Sequence, residues 1–462
     1  MKREPLWLSE INAMPRLGQP LETDLSVDVA IVGGGFVGLW SAIWLKSFEP
    51  SLRVAVFEKG RVGHGASGMN GGFVMSWWPK IGRLTQIAGE DDGRWLADQT
   101  TQNVSDLGDF LQNEQIDAEF HLGGWLWTAT SQAHLGAWRG VVDKANALGR
   151  KEIFRTVSRE ELTRRTGSSK HIAGVYEAMN GKVHPGKLGQ GLALVAKRNG
   201  VELYEDATVL GLTPGKRVTL KVGARQVSAD RVVIASNIAA EHMPELRRSM
   251  VLVTSAVVAT DPIPERIEEI GWTGGETITD SQSRLNYYRT TRSGRVVYGM
   301  GVATLSYGNR LSPDVYSDRD GIAITERNFR RAYPELANVP LAFGWSGPID
   351  RTYDGLPLFG RFKGSPNIVY GVGWSGNGVG PSRVGGRILA GLTLKRKERW
   401  TENAFVGRTG RKFPPEPIRY YAGSTVRAAV ARKDEREIAG KKVPILDRVI
   451  AGFAPAGTED KD

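Results

Sequence analysis

The chain has 462 residues, which is enough for two domains or one large interleaved unit. It contains no cysteine, and this excludes disulfides, thiolate metal sites, redox dithiols and attachment of a cofactor through a cysteine. The formal net charge is +11, and residues 391–450 carry most of the excess, with 15 Lys and Arg against 7 Asp and Glu. Two interpretations of this basic region stay open: a solvated face or oligomer contact, and a patch for nucleic acid or anionic lipid.

The first 26 residues form an irregular leader that contains three prolines and lacks the continuous apolar segment of a secretion signal. The long apolar stretch at residues 27–45 is interrupted by Asp28 and four glycines, and a nucleotide motif explains it better than a membrane span. We therefore expect a soluble, cytoplasmic protein.

Residues 27–58 have the pattern of a strand, a glycine-rich turn, a helix and a second strand that ends in a carboxylate. Gly33 permits the tight turn, Gly35 lets the backbone approach a pyrophosphate, and Gly38 lets the helix pack closely on the strand. The helix N-terminus directs its free N–H groups at phosphates, and Glu58, 20 residues beyond Gly38, can accept hydrogen bonds from a ribose. The pattern predicts a dinucleotide site formed by Gly33, Gly35, Phe36, Val37, Gly38, Glu58 and Lys59.

Two further segments have the small residues and strand ends that bring backbone close to a cofactor. A glycine-rich loop covers residues 60–72, and a buried strand breaks into a loop at residues 230–237. An ordinary surface loop is the alternative for the first of these. The predicted cofactor contacts are Gly65, Ala66, Ser67, Asn70, Gly71 and Gly72 in the loop, and Val209, Ser236 and Asn237 further along the chain.

A third glycine-rich segment, residues 373–378, follows an apolar strand at 367–371 and precedes a helix. Its amides therefore lie at a positive helix end, where they can stabilise negative charge that develops on a cofactor. The alternative is a purely structural turn. The predicted contacts are Gly373, Gly376, Asn377 and Gly378.

Outside these motifs, periodicity predicts helices within residues 83–150, including 104–111, and mostly strands from 246 to 343. The tail from residue 393 is predicted to contain a helix at 424–439.

The fingerprint, the loop at 65–72, and the pair formed by Asp354–Pro357 and Gly373–Gly378 resemble the superfamily of FAD-dependent amine and amino-acid oxidases. Its members include D-amino-acid, glycine and sarcosine oxidases and their γ-glutamylputrescine-oxidising relatives. The resemblance covers residues 27 to about 392. It implies an α/β fold in which a Rossmann-type FAD-binding domain is interleaved with an antiparallel-sheet substrate domain, as in glycine and sarcosine oxidases. The expected division is 1–82, 150–245 and 345–392 for the FAD-binding domain, 83–149 and 246–344 for the substrate domain, and 393–462 for a basic C-terminal extension.

In the family, a hydride passes from the substrate carbon next to nitrogen to flavin N5, and the imine hydrolyses to an aldehyde or keto acid. Relatives with covalent flavin use a histidine in the glycine-rich loop or a cysteine near the C-terminus. Here Met69 occupies the histidine position and cysteine is absent, so the resemblance implies non-covalent FAD. Both O₂ and a quinone stay open as the electron acceptor.

Family members that oxidise α-amino acids hold the carboxylate with an arginine shortly before the Asp-Gly-Leu-Pro motif. That position falls here on Ile349, with Asp350 and Arg351 out of register. The absence of an arginine at position 349 argues against a simple α-amino acid such as glycine as the substrate. It resembles the γ-glutamylputrescine group, and so does the segment Trp345–Gly347.

The segment 284–289 aligns with the family strand that lines the substrate side of the flavin, and Tyr287 matches a substrate-binding tyrosine. Because side chains alternate along a strand, Tyr287 and Arg289 share a face that suits an anionic group. Packed aromatics with a surface arginine, and a plain turn at His184, are the alternatives. The predicted catalytic or substrate-contacting residues are Tyr287, Arg289, Arg284, His184 and Trp374. The remaining histidines lack metal-ligand spacing, so we predict no metal.

The tail sequence Lys412–Tyr420 resembles a subgroup predicted to oxidise aminophosphonates, which favours 2-aminoethylphosphonate as the substrate. A phosphonate dianion suits one or two arginines. The alternatives are γ-glutamylputrescine, or another primary or secondary amine or amino acid. A tRNA-modifying flavoprotein is the alternative of another class, although we do not expect a nucleic-acid partner.

Overall fold

The computed structural model describes residues 1–457 and 459–460. Most of the strands join one of two large sheets, and β3 and β7 form a separate pair. The strands are β1 Leu25–Val32, β2 Val54–Phe57, β3 Phe73–Val74, β4 Trp125–Ala129, β5 Arg155–Val157, β6 Ala173–Glu177, β7 Gly181–Lys182, β8 Glu202–Tyr204, β9 Val209–Thr213, β10 Val218–Val222, β11 Arg225–Ile234, β12 Val251–Thr260, β13 Thr277–Asp280, β14 Asn286–Thr290, β15 Val296–Met300, β16 Leu341–Arg351, β17 Leu358–Phe362 and β18 Ser365–Val372.

The helices cover the sheets and also occur in the C-terminal extension. They are α1 Leu6–Ile11, α2 Phe36–Phe48, α3 Ile81–Ala88, α4 Glu90–Asn113, α5 Arg139–Ala147, α6 Arg159–Thr166, α7 Pro185–Arg198, α8 Pro264–Glu269, α9 Arg319–Ala332, α10 Pro381–Thr393, α11 Arg399–Glu402, α12 Ile418–Ile438 and α13 Ile445–Ala451. The predicted helices at 104–111 and 424–439 lie within α4 and largely within α12. Among the residues that the structure describes, no helix is long and apolar enough to cross a membrane.

The first sheet has the order β17-β18-β11-β1-β2-β8, and β10 and β9 extend it beside β11. Strands β18, β11, β1, β2 and β8 are parallel neighbours, as expected for a dinucleotide-binding sheet. Helices α2 and α10 pack against each other, and a Cβ built on Gly386 would lie 2.5 Å from the Trp40 Cβ, so a small residue is needed at this crossing. The predicted α/β fold with an FAD-type parallel sheet is confirmed.

The second sheet has the order β16-β12-β15-β14-β13-β4-β6-β5, and all its neighbours are antiparallel except β13 and β4. Along β14, Tyr288 packs into a core with Tyr298 of β15 and Phe329 of α9, whereas Tyr287 points to the opposite face of the sheet. That opposite face is turned toward the first sheet. Strands β5, β6 and β16, which the expected boundaries place in the FAD-binding part, pair in this second sheet.

The C-terminal extension is attached at both ends to the rest of the chain. Asp434 of α12 accepts hydrogen bonds from the backbone N–H groups of Ser283 and Arg284, each at 2.9 Å, just before β14. After α13 the chain turns back, and the Ala456 N–H donates to the Tyr353 carbonyl at 3.0 Å. Ala456 therefore lies beside the segment that follows β16.

Candidate active site

A cavity of about 760 Å³ is lined by residues of both large sheets. Most of the residues predicted to contact the cofactor line this cavity. They are Gly33, Gly35, Phe36, Val37, Glu58, Lys59, Gly65, Ala66, Ser67, Asn70, Gly71, Val209, Ser236, Asn237, Gly376, Asn377 and Gly378. Of the predicted substrate contacts, Tyr287 and Trp374 line it as well.

The nucleotide end of the cavity is formed by the turn between β1 and α2. Gly33 has a φ of +108°, and a Cβ there would lie 2.5 Å from the Ala235 carbonyl oxygen, so only glycine fits the turn. A Cβ on Gly35 would meet only the Ser67 hydroxyl, at 2.9 Å, so the backbone at Gly35 is open to a ligand. Gly38 does not line the cavity, because it packs against the Gly33 carbonyl, as its predicted packing role requires.

Glu58, just beyond β2, holds two of the surrounding loops in place. Its carboxylate accepts from the Gly34 N–H at 2.9 Å and from the Gly60 N–H at 3.1 Å, and it also lines the cavity. A ribose would therefore meet a carboxylate whose position is already fixed by two backbone donors.

The glycine-rich loop is held mainly by hydrogen bonds to its own backbone. The Asn70 side-chain amide donates to the carbonyls of Ala66 and Ser67 at 3.1 and 2.7 Å, and its oxygen accepts from the Gly72 N–H at 2.8 Å. The Ser67 hydroxyl accepts from the Phe36 N–H at the start of α2, at 2.9 Å. These contacts fix small residues and backbone groups along the cavity wall, where they suit a pyrophosphate.

The segment after β18 is organised by Asp350, a buried carboxylate on β16. Asp350 accepts from the N–H groups of Gly373 at 2.6 Å and Trp374 at 3.0 Å. Burial raises the pKa of Asp350 to about 7, and these hydrogen bonds partly oppose that shift. Gly373 therefore supports the loop without lining the cavity, and the segment that lines the cavity is 374–379, with the predicted contacts Gly376, Asn377 and Gly378.

The substrate end of the cavity is lined by Tyr287 and by small hydroxyl residues of the second sheet. The Tyr287 hydroxyl lies 2.7 Å from the Ser255 hydroxyl, and Thr279 lies nearby on the same wall. Burial raises the pKa of Tyr287 to about 12, so the phenol is neutral near pH 7 and acts as a hydrogen-bonding group. A Cβ on Gly71 would lie 2.7 Å from the Tyr287 ring, so the loop and the tyrosine are in close contact.

The structure corrects the predicted position of Arg289. Its side chain lies on the same face of β14 as Tyr287, but it is buried under the glycine-rich loop and does not line the cavity. Its guanidinium donates to the carbonyls of Gly71 at 2.8 Å and Val183 at 2.7 Å. It also lies 4.8 Å from the centre of the Trp7 ring. Arg289 therefore holds the loop that lines the cavity, and Gly72 lies in the same contact, outside the cavity wall.

Arg284 and His184 also lie outside the cavity. Arg284 lies on the face of its segment opposite Leu285 and Tyr287, with its Nε 3.6 Å from the Asp434 carboxylate of α12. His184 caps α7, where its Nδ1 accepts from the Lys187 N–H at 3.1 Å and its Nε2 lies 2.9 Å from the Glu10 carboxylate. Neither of these two predicted contacts lines the cavity, because an aligned segment does not specify which side chain points inward.

The sequence interpretation missed several residues that line the substrate end. Ile349, Asp350 and Arg351 all do so, although the sequence alignment placed only Ile349 in register. Gly457 and Glu459 of the C-terminal extension also line the cavity, and no motif indicated them. Proximity of Arg351 to the Asp-Gly-Leu-Pro motif was the one signal that could have found it. Within residues 1–457 and 459–460, no cluster of three or more His, Cys, Asp or Glu is arranged to hold a metal ion.

Comparison with known proteins agrees with this geometry. Residues 28–392 match the family described as FAD dependent oxidoreductase (DAO). The chain is 28% identical over 397 residues to gamma-glutamylputrescine oxidoreductase of Escherichia coli, covering 85% of this chain and 89% of that protein. It is 27% identical over 387 residues to the probable oxidoreductase OrdL of Haemophilus influenzae, covering 82% and 86% of the two chains. The crystal structure of glycine oxidase from Geobacillus kaustophilus superposes with a TM-score of 0.67 at 23% identity, over 81% of this chain and 96% of that one.

The residues of the nucleotide end fit FAD on their own chemistry: an open backbone at Gly35, a fixed carboxylate at Glu58, and a loop of small residues around Ser67. The match covers most of the chain. The protein therefore belongs to the DAO family of FAD-dependent oxidoreductases, enzymes that use FAD to oxidise CH–NH donors such as amines and amino acids.

Proposed function

We propose that the protein oxidises a small primary amine that carries an anionic group, and that an aminophosphonate such as 2-aminoethylphosphonate is its substrate. The observation that carries this proposal is the position of Arg351. Among the described residues, the Lys and Arg side chains that line the cavity are Lys59, Arg351 and Lys363. Lys59 follows β2, and Lys363 lies in the turn between β17 and β18. Arg351 is thus the cation available at the substrate end.

A guanidinium and several hydroxyls are the groups that suit a phosphonate, which presents three acceptor oxygens. Arg351 supplies a fork of donors, and Ser255, Thr279 and Tyr287 supply hydroxyls in another part of the same cavity. The similarity of Lys412–Tyr420 to a subgroup predicted to oxidise aminophosphonates also supports this substrate.

The protein's part in the reaction is to bind and orient the amine. FAD, when bound, supplies the oxidising power by accepting a hydride from the carbon next to nitrogen. Tyr287, Trp374 and Arg351 confine the amine in the cavity, and holding its carbon in a reactive geometry removes much of the entropic barrier. Two titratable groups of the wall are already engaged: the Tyr287 phenol is neutral near pH 7, and both Asp350 oxygens accept backbone N–H groups. We infer that the amine loses its ammonium proton to water before it reacts. We also propose that FAD is bound non-covalently, because Met69 lines the cavity at the position of the attached histidine in other members.

γ-Glutamylputrescine is the second candidate, and one observation favours it. Glu459 lines the cavity together with Arg351. A γ-glutamyl group carries both an ammonium and a carboxylate, and it would find a partner for each. The curated E. coli relative acts, by its name, on this compound.

The ion pairs of the basic extension weaken the case for a nucleic-acid substrate. Several of its arginines form ion pairs with acidic groups of this same chain, as Arg399 does with Asp92 at 2.8 Å and Arg432 with Asp447 at 2.6 Å. Salt-dependent binding of RNA to the purified protein would favour the tRNA-modifying alternative.

The proposal is tested by mixing the FAD-bound protein with each amine without oxygen and following the visible flavin band. We expect rapid bleaching by 2-aminoethylphosphonate and loss of that bleaching in Arg351→Gln, whereas Glu402→Gln, on the exposed face of α11, serves as a matched control. Bleaching by γ-glutamylputrescine alone would select the second candidate, and bleaching by neither would refute the proposal. Admitting air or adding a soluble quinone to the reduced protein then identifies the electron acceptor.

A further inference from the structure

The end of the C-terminal extension forms part of the cavity wall. This end segment (residues 455–457 and 459–460) lies outside the part of the chain that matches the family. The Ala456 N–H donates to the Tyr353 carbonyl at 3.0 Å, and the Asp460 N–H donates to the Pro79 carbonyl at 2.7 Å. The Asp460 carboxylate also accepts from the Arg83 N–H at 2.9 Å. Backbone hydrogen bonds on both sides therefore hold the segment against the cavity.

Two buried cations lie against this end segment. Arg351 is 8% exposed, and its guanidinium donates to the carbonyls of Pro455, at 3.5 Å, and Ala456. Lys80 is 2% exposed, and its ammonium lies 3.5 Å from the Asp460 carboxylate. Cations this deeply buried need counter-ions, because an unpaired buried charge is strongly destabilising.

The end segment brings negative charge close to both cations. Burial lowers the pKa of Arg351 to about 10, and the charge of Glu459 opposes that shift. Burial also lowers the pKa of Lys80, and Asp460 opposes it, with a further contribution from Glu459. The nearby carboxylate of Asp354 is paired with Arg408 at 2.5 Å, so it is already engaged. Of these carboxylates, Glu459 is the one that lines the cavity.

We propose that Glu459 is a specificity-determining residue: its carboxylate is the resident counter-ion of Arg351, and the anionic group of a substrate takes its place. This inference rests on the proposed function, because it takes Arg351 as the residue that binds the anionic group of the substrate. Exchange of one anion for another keeps the buried cations paired throughout. A neutral amine leaves Glu459 in place and gains nothing from Arg351, whereas a phosphonate gains two or more charge-assisted hydrogen bonds. The end segment thereby selects for amines with a strongly anionic group.

The test measures anion binding without turnover. Methylphosphonate, which carries no amine, is titrated calorimetrically into the oxidised, FAD-bound, full-length protein. Removal of the competing carboxylate in Glu459→Gln should tighten binding by about tenfold, and Arg351→Gln should weaken it by at least about tenfold. Asp460→Asn removes the same charge one residue away but outside the cavity lining, and we expect it to shift the affinity by less than about threefold. Glu402→Gln controls for the loss of one negative charge at a distance.

Unchanged or weaker methylphosphonate binding in Glu459→Gln would overturn the proposal, since it would show that the carboxylate does not compete with the ligand. If Glu459→Gln does not fold, Glu459→Asp serves instead, because it withdraws the carboxylate by one methylene. Its affinity for methylphosphonate should also increase, but by less than in Glu459→Gln. Failure of this inference is distinguishable from failure of the proposed function. A tighter methylphosphonate complex in Glu459→Gln, without flavin bleaching by 2-aminoethylphosphonate, would retain the anion site and refute the substrate.

Discussion

The role of Arg289 is the point at which structure and sequence interpretation make opposite predictions. In Arg289→Met a side chain of similar length remains, but the carbonyls of Gly71 and Val183 lose their donors. Each buried carbonyl left without a partner costs about 1–3 kcal/mol, which gives about 2–6 kcal/mol for the two. The buried guanidinium itself has a desolvation cost, because burial lowers the pKa of Arg289 to about 10, and its removal recovers part of the loss. We therefore expect a net destabilisation of about 3 kcal/mol.

The assay separates a loop-holding role from a substrate-binding role. Thermal melting of the FAD-bound and FAD-free proteins reports the loss of stability, and flavin fluorescence reports the affinity for FAD. Because Gly71 lines the cavity, a displaced loop should weaken FAD binding by about tenfold, which corresponds to about 1.4 kcal/mol. At saturating FAD the KM for the amine should stay within about threefold of wild type, since Arg289 does not line the cavity.

Arg289→Lys provides the matched comparison. Lysine keeps the charge but replaces the planar fork by a single ammonium, so it should satisfy one of the two carbonyls and give an intermediate loss. Wild-type stability and FAD affinity in Arg289→Met, combined with a KM raised about 100-fold or more, would refute this reasoning and restore Arg289 as the substrate's anion anchor.

Three further predictions concern other buried groups and the cofactor. Tyr287→Phe removes the hydroxyl that lies 2.7 Å from the Ser255 hydroxyl and should raise KM for the amine. The pH profile of kcat/KM below pH 9 should keep its shape, because burial raises the pKa of Tyr287 to about 12. A changed profile would identify the phenol as a titrating group. Burial raises the pKa of Glu177 to about 7, so the folded state binds more protons than the unfolded state, and stability falls as pH rises from the ordinary value of 4.5 to 7. The free energy of unfolding of Glu177→Gln, measured with urea, should therefore rise relative to that of wild type by up to about 3 kcal/mol between pH 4 and pH 8. A difference between the two proteins that is equal at both pH values would contradict the raised pKa. Acid precipitation should leave all flavin absorbance in the supernatant, and yellow colour in the pellet would show a covalent link despite Met69.

The nucleotide end of the cavity could be predicted because its determinants are local in the sequence. The requirement for glycine at Gly33 and Gly38 comes from one turn and the helix that follows it. Glu58 lies at a fixed distance from that turn, because strand, helix and strand have defined lengths. Short-range rules of this kind also predicted mostly strands from 246 to 343, the range in which β12, β14 and β15 lie.

The substrate end could be predicted only in part, because its walls come from distant segments. The alternation along β14 correctly placed Tyr287 and Arg289 on one face, but it could not show that the glycine-rich loop covers Arg289. Nor could it show that Asp434, 150 residues away, fixes the backbone of Arg284. Which side chain faces the cavity depends on these long-range contacts, and a single sequence contains no signal for them.

The division between the two ends has a consequence for substrate specificity in this family. The residues of the FAD side lie within 28–392, the part of the chain that matches the family. On the substrate side, Arg351 is contacted by the carbonyls of Pro455 and Ala456, which lie beyond that shared part. On the proposal that Arg351 binds the anionic group of the substrate, relatives can agree in every flavin motif and still present a different charge to the amine, because that charge would depend on what packs against the end of β16. Substrate assignment by overall similarity is for this reason weaker than cofactor assignment, and the residues to compare first are those around Arg351 and Glu459.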